Sequence, residues 1–98
     1  MFRHVVMFKW VEDVDSAHVD AMAQALDALV STVDEVMSYE HGPDLGISEG
    51  NFDYVIVGEY ASADDYVVYR DHPEHQRIIT ELIKPYVASR AAVQYRTD

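Results

Sequence analysis

The chain has 98 residues, 49% of them hydrophobic, which suits one folded domain with a core and argues against disorder. Its 18 acidic and 7 basic side chains give a formal net charge of −11, which disfavours nucleic acid and anionic membrane as partners, since both need clustered Lys and Arg. Cysteine is absent, so disulfides and thiolate chemistry are excluded.

Residues 2–10 (FRHVVMFKW) alternate, with Phe2, His4, Val6, Phe8 and Trp10 on one face and Arg3, Val5, Met7 and Lys9 on the other. Both faces are apolar at the centre, which predicts a strand covered on two sides. The opening has no basic stretch followed by an apolar core, and no run reaches the roughly 20 apolar residues of a membrane span. A soluble, cytoplasmic protein is expected.

Asp15 or Ser16 can cap a helix over residues 17–33, whose apolar stripe is Val19, Met22, Ala23, Leu26, Leu29, Val30 and Val33. His18 lies off that stripe, on the solvated side. Residues 36–42 read as a second strand with Met37, Tyr39 and His41 on one face, broken by Gly42-Pro43. A turn-rich loop over residues 43–51 leads to a strand over residues 52–60, in which Gly58 removes a side chain next to the core. Ser62 and Asp65 form a shortened capping box for a helix ending near Arg70, with Tyr66 and Tyr69 on one side. Pro73 disfavours helical backbone at His72 and suits the first turn of a new helix, which runs to about Lys84 and buries Ile78, Ile79, Leu82 and Ile83. Residues 86–96 alternate as the last strand.

The order β-α-β-β-α-β is the ferredoxin-like motif, an α+β fold with a four-stranded antiparallel sheet and both helices on one face. A single domain over residues 1–98 is expected. Val5, Met7, Val55, Val57 and Ala88 or Ala92 are expected on the uncovered face. An apolar face of that size predicts a homodimer in which two sheets meet as a barrel-like core.

The opening Arg3-His4-Val5-Val6-Met7-Phe8-Lys9-Trp10, the run from Tyr54 to Tyr60, and Tyr-x-x-His-Pro-x-His at residues 69–75 together resemble the stress-responsive dimeric α/β-barrel (Dabb) family over nearly the whole chain. The resemblance implies a ferredoxin-like protomer whose dimer closes a barrel. Many members have no assigned activity, while one plant member is a polyketide cyclase that performs aldol chemistry without a cofactor. By that likeness the catalytic positions are His75 and Tyr69, with His4 as a pocket histidine. A tryptophan and an aspartate of that cyclase fall near His41 and at Gln94.

The chemistry suits the residues. A neutral imidazole removes a proton next to a carbonyl near neutral pH, and a tyrosine hydroxyl can hydrogen-bond the resulting enolate oxygen. The expected roles are His75 as base, Tyr69 as oxyanion donor and His4 as orienter of the other histidine. Phe8, Tyr54, Tyr66 and His72 are expected to line a pocket for a small hydrophobic molecule. The competing reading is structural: a histidine after a proline caps a helix, and tyrosines at helical spacing pack a core. His72 and His75 lack a third ligand and are split by the bend, so no metal is expected. No cofactor is expected either. A monooxygenase of the same fold is the remaining alternative, without an evident haem ligand.

Overall fold

The computed structural model describes residues 1–97, so that Asp98, the last residue of the expected domain, lies outside the described residues. Strand β1 (Phe2–Trp10) is flanked by β3 (Tyr54–Tyr60) and β4 (Val87–Arg96), while β2 (Val36–Pro43) forms the edge beyond β3. All pairs are antiparallel, in the order β2-β3-β1-β4 of a ferredoxin-like fold. Alternation in β1 and β3 sends Phe2, Val6, Phe8, Tyr54, Ile56 and Tyr60 into a core closed by helices α1 (Ser16–Val30), α2 (Ala63–Asp71) and α3 (Pro73–Ile78). Helix α1 contributes Met22, Leu26 and Leu29 to that core.

Several boundaries differ from expectation. Helix α1 stops at Val30, three residues early, because Ser31 Oγ and Thr32 Oγ1 take the carbonyls of Ala28 and Leu29. Val33 is still buried beyond it. Strand β3 begins at Tyr54. Asp53 instead staples the loop to β1, its amide donating to the Phe8 carbonyl and its carboxylate accepting from Trp10 N–H. Strand β2 ends at Pro43, one residue beyond the expected 36–42, since an edge strand tolerates a missing donor there.

In β2 a bulge changes which side chains share a face. The register shifts between Val36 and Ser38, leaving Met37 as the extra residue and 62% exposed. Val36 and Tyr39, three apart, both pack on the core. The expected face of Met37, Tyr39 and His41 is therefore corrected to Tyr39 and His41 with Val36.

A second irregularity corrects β4. Trp10 pairs with Val87 and Lys9 with Ser89, so Ala88 is the extra residue. Ala92 lies opposite Val6 on the helix side. The uncovered face is thus Val5 between Val57 and Val93, and Met7 between Val55 and Ala91, without Ala88 or Ala92. Arg3, bonded to Glu59 and Tyr95, closes one end of it.

The last helical segment is not one α-helix to Lys84. After α3 the chain widens into a π-turn over Ile79–Ile83, with Lys84 N–H donating to the Ile79 carbonyl, and then tightens at Lys84–Tyr86. Pro85 has no N–H to continue an α-helical ladder. The wider turn keeps Ile78 and Ile83, five apart, both buried. Gly58 is filled from its own strand: the Tyr60 side chain folds back over it, and a Cβ there would lie 2.5 Å from Tyr60 Oη. The glycine serves packing and leaves no space for a ligand.

Candidate functional site

A cavity of about 350 Å³ lies between the sheet and the helices on the β4 side. It exists because β4 is an edge strand that the helices only partly cover: Arg90, Ala92 and Gln94, on its helix side, are all exposed. The apolar walls are Val6, Phe8, Leu26, Ile56, Ile79 and Ile83. His4, Tyr66, Tyr69 and His75 form its polar end, with Arg70, Lys84 and Arg90 also lining it.

The bend at His72-Pro73 sets the position of His75. His72 ends α2, and its Nδ1 accepts from Glu74 N–H at 3.1 Å to start α3. One turn on, His75 Nδ1 is 2.9 Å from the Arg70 carbonyl oxygen. A carbonyl only accepts, so Nδ1 carries the hydrogen and Nε2 keeps its lone pair. Burial, more than the neighbouring His72, pushes the His75 pKa down despite the opposing Arg70 contact, which favours a neutral imidazole. Its ring lies 4.2 Å from that of Tyr69, centroid to centroid.

His4 is 7% exposed, and its Nδ1 sits 3.1 Å from Gln94 Nε2. An amide nitrogen donates, so His4 Nδ1 accepts and its hydrogen is on Nε2. Burial, with smaller contributions from Arg90 and His75, lowers its pKa to about 4. The two histidines make no hydrogen bond with each other among the described residues. The orienting partner of His75 is the Arg70 carbonyl, and His4 is itself oriented by Gln94, which corrects the expected role of His4.

The low pKa of His4 has a stability consequence. The unfolded chain takes up this proton below about pH 6.5, whereas the folded chain does so only near 4. Between those values the unfolded state holds more protons, so stability falls as pH falls. The expected loss is about 3 kcal/mol across the window. A pH series of thermal unfolding should show this decline, and His4→Gln should flatten it; an equal slope in both proteins would contradict a buried neutral His4.

Tyr69 is buried, and its Oη is 2.7 Å from Tyr39 Oη. Burial pushes its pKa up to about 12, against the opposing hydrogen bond of Tyr39. Burial raises Tyr39 and Tyr60 as well, so the group stays protonated. Only one of the two hydroxyl hydrogens lies between Tyr39 and Tyr69; if Tyr39 donates, Tyr69 retains a hydrogen to give. Tyr66 packs on His4 at 4.8 Å between ring centroids.

The structure therefore gathers five expected site residues, His4, Phe8, Tyr66, Tyr69 and His75, around one cavity. Tyr54 and His72 are not part of its lining. Tyr54 Oη is bonded instead to His41 Nδ1 at 2.6 Å, and His41 Nε2 to Asp27 at 2.7 Å, which ties β3 and β2 to α1. His72 is spent on capping α3. The family resemblance pointed to position 94, but Tyr39, Lys84 and Arg90 were not singled out as site residues in sequence, since a polar residue on an edge strand or turn carries no distinguishing signal. A larger groove of about 460 Å³ lies on the uncovered side of the sheet, between Met7, Val55 and the residues 43–53 loop. It has no histidine, so the smaller cavity is the chemical candidate. Among the described residues no three His, Asp or Glu side chains gather as a metal set, and no helix is long and apolar enough to cross a membrane.

Residues 2–97 match the family described as Stress responsive A/B Barrel Domain. The chain is 31% identical, over its full length, to a stress-response A/B barrel domain-containing protein of Arabidopsis thaliana, and it spans 37% of that longer protein. Over 76% of its length it is 32% identical to a second such protein of that plant, At5g22580, spanning 67% of it. A crystal structure of a dimeric ferredoxin-like protein of unknown function from Thermobifida fusca superposes with a TM-score of 0.91 at 33% identity, covering 98% of this chain and 90% of that one.

Proposed function

The chain belongs to the stress-responsive A/B barrel domain (Dabb) family, and from that premise we propose that it works as a homodimer whose protomers each bind a small hydrophobic oxo-compound in the cavity beneath α2 and α3. The Val5, Val57, Val93 and Met7, Val55, Ala91 rungs support face-to-face pairing of two sheets. The Thermobifida relative is described as dimeric. The cavity's apolar walls and its few convergent polar groups fit a small ligand with one polar function.

A second reading, proton transfer on that ligand, is favoured by one observation: His75 has Nδ1–H engaged by the Arg70 carbonyl, leaving Nε2 as a base. In this reading Nε2 takes a proton from the carbon next to the ligand carbonyl. The C–H bond breaks, an N–H bond forms, and the electron pair moves onto oxygen as an enolate. His4 Nε2–H donates to that oxygen, and Tyr69 can add a second hydrogen bond when Tyr39 donates to it. The imidazolium then returns the proton to carbon, or the enolate carbon attacks a second carbonyl of the same molecule, forming a C–C bond while that carbonyl's π pair moves onto its oxygen, and the imidazolium protonates the resulting alkoxide; that is the aldol step of a cofactor-independent cyclase.

The test is isotope exchange. 2-Octanone in D2O should lose its α-proton signals faster with the protein than without it. The rate should rise with pH and level off below the midpoint of free imidazole, because the lowered His75 pKa makes the base available earlier. No protein-dependent exchange would remove the proton-transfer reading. No shift of the His4, Tyr69 or His75 resonances with ligand would remove the binding reading as well.

A further inference from the structure

We propose that the ligand of this cavity is an amphipathic anion, an oxo-carboxylate whose acidic group is held at the mouth by Arg90 and Lys84 while its apolar body lies against Val6, Phe8 and Ile83. This deepens the cavity reading above and rests on it.

Charge is distributed unevenly over the molecule. The chain has 7 Lys and Arg against 18 Asp and Glu. Arg70, Lys84 and Arg90 all line this one cavity, and no carboxylate does. The local sign is the reverse of the protein's net charge of −11. An acidic protein repels anions in general, so a locally positive mouth is where an anion approaches it.

The three cations are not equivalent. Arg70 is turned to Asp71, its Nε and Nη2 lying 2.9 and 3.2 Å from the carboxylate oxygens. Lys84 and Arg90 make no ion pair with a carboxylate among the described residues. Elsewhere in the chain Arg3 and Arg77 are ion-paired, and Lys9 lies over the Phe52 ring. The two unpaired cations of this cavity stand on different elements. Arg90 is on the helix side of β4, opposite Phe8, and Lys84 begins the turn after the π-segment. Both are exposed to water, and neither has a carboxylate partner among the described residues to give up when an anion arrives.

The chemistry of the two ends is complementary. His4, Tyr69 and His75 offer neutral donors and a base to a carbonyl, and cannot neutralise a carboxylate. Arg90 and Lys84 can, and Arg offers a planar pair of N–H groups to it. Arg90 also contributes to keeping His4 uncharged, so the positive rim and the neutral histidine reinforce one another.

The experiment compares two probes of similar length, octanoate and 2-octanone, by chemical-shift titration of the whole chain. Octanoate should bind about tenfold more tightly, the value of one good charge-assisted hydrogen bond. An Arg90→Gln/Lys84→Gln double variant should bring the ratio of the two affinities to about one. Both positions are exposed, and an unchanged thermal midpoint checks that the variant is folded. If the wild type binds octanoate no more tightly, or the variant keeps the preference, the anionic subsite is wrong while 2-octanone binding leaves the cavity reading standing. If neither probe binds, both fail.

Discussion

Val5→Asp should leave the chain monomeric by preventing the proposed face-to-face dimer. Val5 is at the centre of the uncovered sheet face, on the central strand β1, with Val57 on one side and Val93 on the other. In the monomer its side chain is half-buried and its face meets water. A carboxylate there is then solvated, and the fold loses under about 1 kcal/mol of strand preference. In the proposed dimer the same carboxylate is taken out of water without a partner, at a cost on the order of 3–5 kcal/mol. Two-fold symmetry applies that cost twice, so association weakens by at least about ten-thousandfold. Light scattering at micromolar concentration should report two chains for the wild type and one for the variant, with unchanged far-ultraviolet circular dichroism. A variant that still scatters as two chains would move the interface to another surface. Val93 is already 57% exposed and Tyr95 43% in the single chain, which is the apolar surface that pairing would remove.

His75→Gln should lower the exchange of ligand α-protons by about 10²–10⁴-fold, the usual contribution of a positioned general base. Glutamine is chosen because its amide N–H can still reach the Arg70 carbonyl, so α3 keeps its entry geometry while the basic lone pair is lost. Octanoate or 2-octanone should still bind. Tyr69→Phe separates two roles. Its hydroxyl is bonded to Tyr39, so removal leaves Tyr39 without that partner in a buried place and should cost about 1–3 kcal/mol of stability. If His4 supplies the main hydrogen bond to the enolate, exchange in Tyr69→Phe falls much less than in His75→Gln. Equal losses in both variants would return Tyr69 to the role of principal donor. Unchanged exchange in His75→Gln would remove the base.

The sheet-face and site variants probe features of different origin. The sheet face is a matter of alternation, and alternation is local. The site is a matter of which hydrogen is on which nitrogen, and that is set by contacts that sequence does not mark. Gln94 is 90 residues from the His4 it orients. Arg70 holds His75 through a backbone carbonyl, an atom that every residue has and that no sequence pattern distinguishes.

The sequence by itself determined the order of elements and most of their extents, because period-two and period-3.6 patterns report on backbone geometry within a few residues. It also determined that His72-Pro73 breaks a helix and that Val5, Met7, Val55 and Val57 share an uncovered face. The motif at residues 69–75 brought His75 and Tyr69 into view, and alternation in β1 added His4 and Phe8 on the helix side. Tertiary structure decided the rest. The bulges at Met37 and Ala88 each shift one strand by a residue, and a one-residue slip exchanges the two faces beyond it. That is why Ala92 and Met37 fell on the wrong side in sequence and why Val87 joins the core. The π-turn at Ile79–Ile83 depends on the demand that Ile78 and Ile83 both reach the same core. Tyr54 was drawn away from the cavity by His41 and Asp27, a link between β3, β2 and α1 that only packing creates. The gathering of Arg70, Lys84 and Arg90 around one opening, in a chain so rich in acid, is likewise a product of the fold: three residues from a helix, a turn and an edge strand line one cavity only once the helices pack on the sheet.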